Sequence, residues 1–103
     1  MSKPHALVTG GSRGIGAAIC KALAAAGHPI LLNYRSNDDA AEAVKAEIEG
    51  AGGSVRLCKF DVADREQATP AVEALLEEGL TIGVLVNNAG VAQDDSFPQV
   101  TWD

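Results

Sequence analysis

Apolar positions along the chain switch between two spacings in a regular alternation. Residues 5–9 hold a short apolar run (Ala6, Leu7, Val8), and Ile15, Ile19, Leu23 and Ala26 then repeat at helical intervals. This predicts a first strand over 5–9 and a first helix over 14–27, with Gly27 at a left-handed C-cap and Pro29 barring continuation. Residues 30–34 (Ile30, Leu31, Leu32, Asn33, Tyr34) form a nearly continuous apolar run, the pattern of a strand covered on both faces. Ser36 to Asp39 offers helix-capping residues. Ala41, Val44, Ile48 and Ala51 follow at helical spacing until Gly50, Gly52 and Gly53. A third strand is predicted over 54–60, then a turn at 61–64 with Asp64 as N-cap. A third helix carries Ala68, Ala71, Val72, Leu75 and Leu76 and stops near Gly79. Ile82 to Val86 reads as a fourth strand, Asn87 to Gly90 as a loop, and the tail from Val91 to Asp103 has no clear period, though Trp102 could begin another helix.

The alternation β-α-β-α-β-α-β with short connections predicts an α/β fold, a parallel sheet with right-handed crossovers and helices on both faces. It amounts to about the first half of a Rossmann-type doubly wound sheet, in one unit spanning 1–103 without linker, repeat or low-complexity segment.

Composition narrows the function. The chain is 47% hydrophobic but only 4% aromatic, so its core is aliphatic and alanine-rich. A formal charge of −6 argues against a nucleic-acid binder, although Arg13 and Arg35 could still line a local anion pocket. Cys20 and Cys58 have no metal-ligand spacing and read as reduced core residues; no metal site is expected. The N-terminus lacks a signal-peptide stretch and no run reaches membrane-spanning length, so no membrane contact and a cytoplasmic location are expected.

The chemistry gathers at the loop after the first strand, Thr9-Gly10-Gly11-Ser12-Arg13-Gly14-Ile15-Gly16. Strand, glycine loop and helix in that order build a phosphate cradle: glycines let an anion approach, and the first-turn N–H groups of the helix point at its charge. The end of the second strand bears on the choice between NAD and NADP. A carboxylate there would accept from ribose hydroxyls, whereas a 2′-phosphate needs cations and hydroxyls. The residues are Asn33-Tyr34-Arg35-Ser36, without an acid; Asp38 and Asp39 lie further on, in helix-cap position. Arg35 could equally be a solvated surface residue. Asp61-Val62 follows the third strand and could bracket an adenine or simply form a turn. Asn87 and Asn88 could pin strands, contact a cofactor, or both. His5 and His28 sit at the opposite edge and read as structural, and Glu73, Glu77 and Glu78 as a solvated helix face.

The loop T-G-x3-G-x-G, the pair Asp61-Val62 and the run Asn87-Asn88-Ala89-Gly90 together resemble the short-chain dehydrogenase/reductase family, in its compact single-domain branch. Within it, Asn33-Tyr34-Arg35-Ser36 and the overall spacing are most similar to 3-oxoacyl-(acyl-carrier-protein) reductases. The resemblance implies NADP(H) as cofactor. It places Gly10, Gly11, Ser12, Arg13 and Ile15 along the pyrophosphate and 2′-phosphate, Arg35 and Ser36 on the 2′-phosphate, Asp61 and Val62 on the adenine, and Asn87, Ala89 and Gly90 on the riboses. It implies a 3-oxoacyl substrate bound to acyl carrier protein or CoA, reduced to the 3-hydroxyacyl product, and a homo-tetramer for a full-length parent. The run Val91-Ala92-Gln93-Asp94 departs from the Thr-Arg-Asp usual in the fatty-acid reductases, which leaves the acyl group and pathway open.

The family's catalytic Ser and Tyr-x-x-x-Lys would lie beyond Asp103. The only tyrosine, Tyr34, has Asp38 rather than lysine four residues on, so no catalytic residue is assigned and the 103 residues alone are expected not to turn over. The fourth strand is expected to leave a bare, apolar edge. Two other readings are a reductase of a different ketone, sugar or steroid, and a non-catalytic nucleotide-binding module.

Overall fold

Every side chain from Ile30 to Tyr34 is buried, as a strand sandwiched between helical layers requires. The computed structural model describes residues 3–88. Its elements are β1 (His5–Thr9), α1 (Gly14–Ala25), β2 (Ile30–Tyr34), α2 (Asp38–Gly50), β3 (Val55–Lys59), α3 (Arg65–Glu77) and β4 (Ile82–Asn87). The four strands form one parallel sheet in the order β3-β2-β1-β4. Val8 stands opposite Leu32 on one side and Val86 on the other. This is the expected Rossmann-type first half. Ala89, Gly90 and the tail with Trp102 lie outside the described residues.

Alternate residues of the strands feed two cores. On one face Ala6, Val8, Ile30, Leu32 and Val55 pack with Ala17 and Cys20 of α1 and Ala41, Val44 and Ile48 of α2. On the other, Leu7, Leu31, Cys58 and Phe60 pack with Leu75 of α3. Both cysteines are buried and free.

The helices end in one way. α1 stops at Ala25 rather than 27 because the chain turns back on itself there. The His28 N–H donates to the Leu23 carbonyl, the Gly27 N–H to that of Ala24, and Gly27 takes φ 103°. Gly52 and Gly79 close α2 and α3 with the same pair of bonds. The buried stripe of α1 matches the expected one in part. Ile19 and Leu23 pack against the core, but Ile15 is 70% exposed and Ala26 lies beyond the helix, while Gly16, Ala17 and Cys20 also face the sheet. Small residues there let the helix sit close to the strands. β3 spans 55–59 rather than 54–60, and β4 runs one residue further, so Asn87 belongs to the strand.

Candidate functional site

The β1–α1 loop turns at Gly10, whose φ of 65° suits glycine and few other residues. The peptide groups of this glycine are held from both sides. Its N–H donates to Asn33 Oδ1 (3.2 Å), and its carbonyl accepts from Asn88 Nδ2 (3.1 Å). The Gly11 N–H donates to the Asn33 carbonyl at 2.9 Å. Gly11 is buried beneath the loop, where a Cβ would lie 2.9 Å from Cys20 Sγ. Burial pushes the Cys20 thiol up to about 12, so it sits there as a neutral packing group.

The helix that follows differs from the other two. Asn37 caps α2 by accepting from the Ala40 N–H, and Asp64 caps α3 by accepting from the Glu66 N–H. No side chain caps α1, and its first turn holds no acidic residue, whereas α2 has Asp38 and Asp39 there and α3 has Glu66. The positive end of the α1 dipole and its spare N–H groups therefore remain available to an anion.

That helix end opens on a cleft of about 520 Å³ at the carboxyl ends of the strands, beside the point where the strand order reverses between β1 and β4. Open α/β sheets bind ligands at such places. Of the residues singled out from the sequence, Gly10, Ser12, Arg13, Ile15, Arg35, Ser36, Asp61 and Val62 all line it. Gly11 lies under it, and Asn87 is turned to β1, its Oδ1 accepting from Thr9 Oγ1 at 3.1 Å. Ala89 and Gly90 fall outside the described residues. Asn88, Asn33, Tyr34, Asn37 and Phe60 join the wall. Asn33 carried a signal that could have found it: a polar side chain in a fully covered strand must be satisfied from within.

Charge at the cleft is arranged by what the carboxylates are bound to. Neither Arg13 nor Arg35 enters an ion pair among the described residues. Asp38, in α2's first turn, accepts from Tyr34 Oη at 2.8 Å and pairs with Lys59 at 3.2 Å. It is therefore not the N-cap, a role that Asn37 fills. The shared hydrogen bond raises the Tyr34 phenol, and the bonds from Tyr34 and Lys59 lower the Asp38 carboxyl. Asp61 Oδ1 accepts from the Ala63 N–H at 2.9 Å, and the Asp61 N–H donates to Gln67 Oε1, so the aspartate does shape its own turn while lining the cleft. At the opposite edge His28 Nδ1 lies 2.9 Å from the Pro4 carbonyl, consistent with a structural histidine. Glu78 is no idle surface acid: it grips Arg56 of β3 with both oxygens.

Comparison with known proteins agrees with this geometry. A family model described as short chain dehydrogenase matches residues 4–103. The acetoacetyl-CoA reductase of Paracoccus denitrificans is 47% identical over 96 residues, covering 93% of the chain and 38% of that protein. A 3-oxoacyl-(acyl-carrier-protein) reductase of Synechocystis is 44% identical over 89 residues, covering 86% of the chain and 36% of that protein. The crystal structure of a metagenomic short-chain oxidoreductase in complex with NADP superposes with a TM-score of 0.68 at 34% identity, over 82% of the chain and 38% of that protein. The chain thus spans well under half the length of the relatives it matches. No described helix is long and apolar enough to cross a membrane.

Proposed function

The chain belongs to the short-chain dehydrogenase family, whose members bind a nicotinamide cofactor, and we propose that it supplies the NADP(H) site of a 3-oxoacyl thioester reductase. The observation that carries the cofactor choice is the wall at the end of β2. It presents Tyr34, Arg35, Ser36 and Asn37, while the first carboxylate after them in the chain, Asp38, is bound to Tyr34 and Lys59 and Asp61 lines the cleft from the β3 side. A 2′-phosphate would meet the Arg35 guanidinium, the Ser36 hydroxyl and Arg13; a bare ribose would find no carboxylate on this wall to accept its hydroxyl protons. The pyrophosphate would sit on the uncapped first turn of α1 with Gly10, Gly11, Ser12 and Ile15 around it. Asp61 and Val62 would flank the adenine, and Asn87, Ala89 and Gly90 would border the riboses.

When bound, the cofactor supplies a hydride. In this reading the residues of the cleft bind and orient it, and none of them is assigned the proton transfer. The acyl thioester assignment is supported by relatives named for acetoacetyl-CoA and for 3-oxoacyl-(acyl-carrier-protein). The same reading carries a homo-tetramer and a cytoplasmic location for the full-length protein.

Calorimetric titration of the chain with NADP⁺ and NAD⁺ tests the cofactor. Tighter binding of NADP⁺ is expected, with Arg35→Ala removing most of the difference; equal affinities in the unaltered chain would overturn the choice. Loss of NADPH absorbance on adding acetoacetyl-CoA to the protein that contains this chain tests the substrate, and reduction of sugars or simple ketones in preference would overturn it.

A further inference from the structure

We propose that Asn33 is a positioning residue that fixes the phosphate-binding loop and the adenine-side loop at one spacing, so that a single ligand can span both. The inference rests on the dinucleotide reading above.

Asn33 is 2% exposed and sits at the carboxyl end of β2, between the two loops. Its Oδ1 accepts from the Gly10 N–H at 3.2 Å, on the glycine loop. Its Nδ2 donates both protons to β3 and the residue beyond it, to the Cys58 carbonyl at 3.2 Å and the Phe60 carbonyl at 3.0 Å. Phe60 immediately precedes Asp61 and Val62 and lines the cleft with them. The backbone of Asn33 adds a bond, its carbonyl accepting from the Gly11 N–H.

One side chain thus joins the start of one loop to the start of the other, with all three of its bonds to main-chain atoms. Only an amide does this. A carboxylate would satisfy Gly10 but turn an oxygen toward two carbonyls; a hydroxyl has one proton for two acceptors; an aliphatic side chain leaves buried groups unpaired. A polar residue in a strand whose other four members are apolar or aromatic would be costly unless it did such work. The ladder between β2 and β3 already pairs Asn33 with Cys58, and the Phe60 N–H donates to the Tyr34 carbonyl, so what the amide adds is the tie to Gly10 and a second bond to Phe60, at its carbonyl.

The test compares ligands that touch one loop with a ligand that spans both, and follows the Gly10 amide by hydrogen exchange. The probes are inorganic pyrophosphate, adenosine and ADP, titrated into the intact chain and its Asn33→Leu and Asn33→Asp variants by NMR. In the unaltered protein the Gly10 amide is expected to be protected although it lies in a loop. Asn33→Leu should expose that amide and weaken ADP by about tenfold, while pyrophosphate and adenosine change by no more than about twofold. Asn33→Asp should keep Gly10 protected yet weaken ADP by a similar factor, because only the adenine-side half of the bridge is lost. A role confined to packing would move all three ligands together or none, and either result overturns the inference. Free exchange of Gly10 in the unaltered protein overturns it without any variant, which covers the case in which a variant does not fold. Failure of all three probes to bind the unaltered chain would overturn the dinucleotide reading itself, and the inference with it.

Discussion

Gly16 has no room for a methyl group: a Cβ there would lie 2.2 Å from the Gly10 carbonyl oxygen and 2.6 Å from Asn88 Nδ2. Because the obstacle is loop backbone, Gly16→Ala should cost about 2 kcal/mol, read from the urea midpoint, and should weaken dinucleotide binding by displacing the Gly10 peptide. Tyr34 offers a cleaner probe, since it is the only tyrosine. Its phenol is raised by the bond to Asp38, so Asp38→Asn should bring the tyrosinate absorbance midpoint down toward the ordinary value near ~10; an unmoved midpoint would contradict the bond. The sign of the linkage follows for each partner. Tyr34 holds its proton more tightly when folded, so its contribution is complete below the ordinary phenol value and is lost as pH rises through the raised one. Asp38 has a lowered carboxyl, so its contribution is present above the ordinary value near ~3.9 and is lost as pH falls through the lowered one. At this scale the sequence was readable where a residue type has one use. Glycines between strand and helix mean a close approach, as at Gly11 and Gly16, and Arg35 and Ser36, brought together in the cleft wall, are proposed to take a phosphate. Asn33 and Asp38 were harder: Asn33 bonds partners 23 to 27 residues away, and Asp38 joins Tyr34, four residues before it, to Lys59, 21 residues after it, so local pattern does not show which amide or carboxylate is already engaged.

Helix ends separate α1, which no side chain caps, from α2 and α3, capped by Asn37 and Asp64. Asp64 accepts from the Glu66 N–H and from Gln67 Nε2, both at 3.0 Å, and Gln67 in turn accepts from the Asp61 N–H. Asp64→Ala should therefore cost about 1 kcal/mol in urea unfolding and loosen the Asp61 turn. Arg13 occupies the same position on α1 but makes no capping bond. Arg13→Ala should leave stability within about 0.5 kcal/mol while weakening NADP⁺ binding. The opposite pattern, with stability lost at Arg13 and affinity kept, would mean that the start of α1 is structural after all. The element boundaries were legible to within two residues because glycine after a helical run is a strong stop signal, met here at Gly27, Gly52 and Gly79. The face of α1 was less legible. Ile15 is exposed because it lies in the first turn, which lines the cleft, whereas Ile19 and Leu23 further along pack against the core.

The whole sheet was foreseeable from alternation and short crossovers, which leave few arrangements open to four parallel strands. Alternation is silent on how evenly the sheet is covered, and there the apolar runs of the second and fourth strands were the guide. β2 is buried at every position, whereas β4 alternates between half-buried and exposed, and among the described residues it pairs only with β1. Leu85 stands beside Leu7 in the register, yet Leu7 is buried under the α3 face and Leu85 is 51% exposed. Among the described residues no strand lies beside the outer edge of β4, and an apolar side chain stands next to that edge, the two features that draw strands together edge to edge. The 103-residue polypeptide should accordingly associate with itself as its concentration rises, which sedimentation velocity would detect. Leu85→Lys places a charge beside that edge and should weaken association by at least about tenfold, while NADP⁺ affinity stays unchanged, since Leu85 is not part of the cleft. Equal association in both forms would locate the contact elsewhere, with Leu76 of α3, also 51% exposed, the next place to introduce a charge. Loss of NADP⁺ binding in the Leu85 variant would instead mean that the carboxyl end of β4, through Asn88 and Gly10, depends on how the strand's outer face is covered.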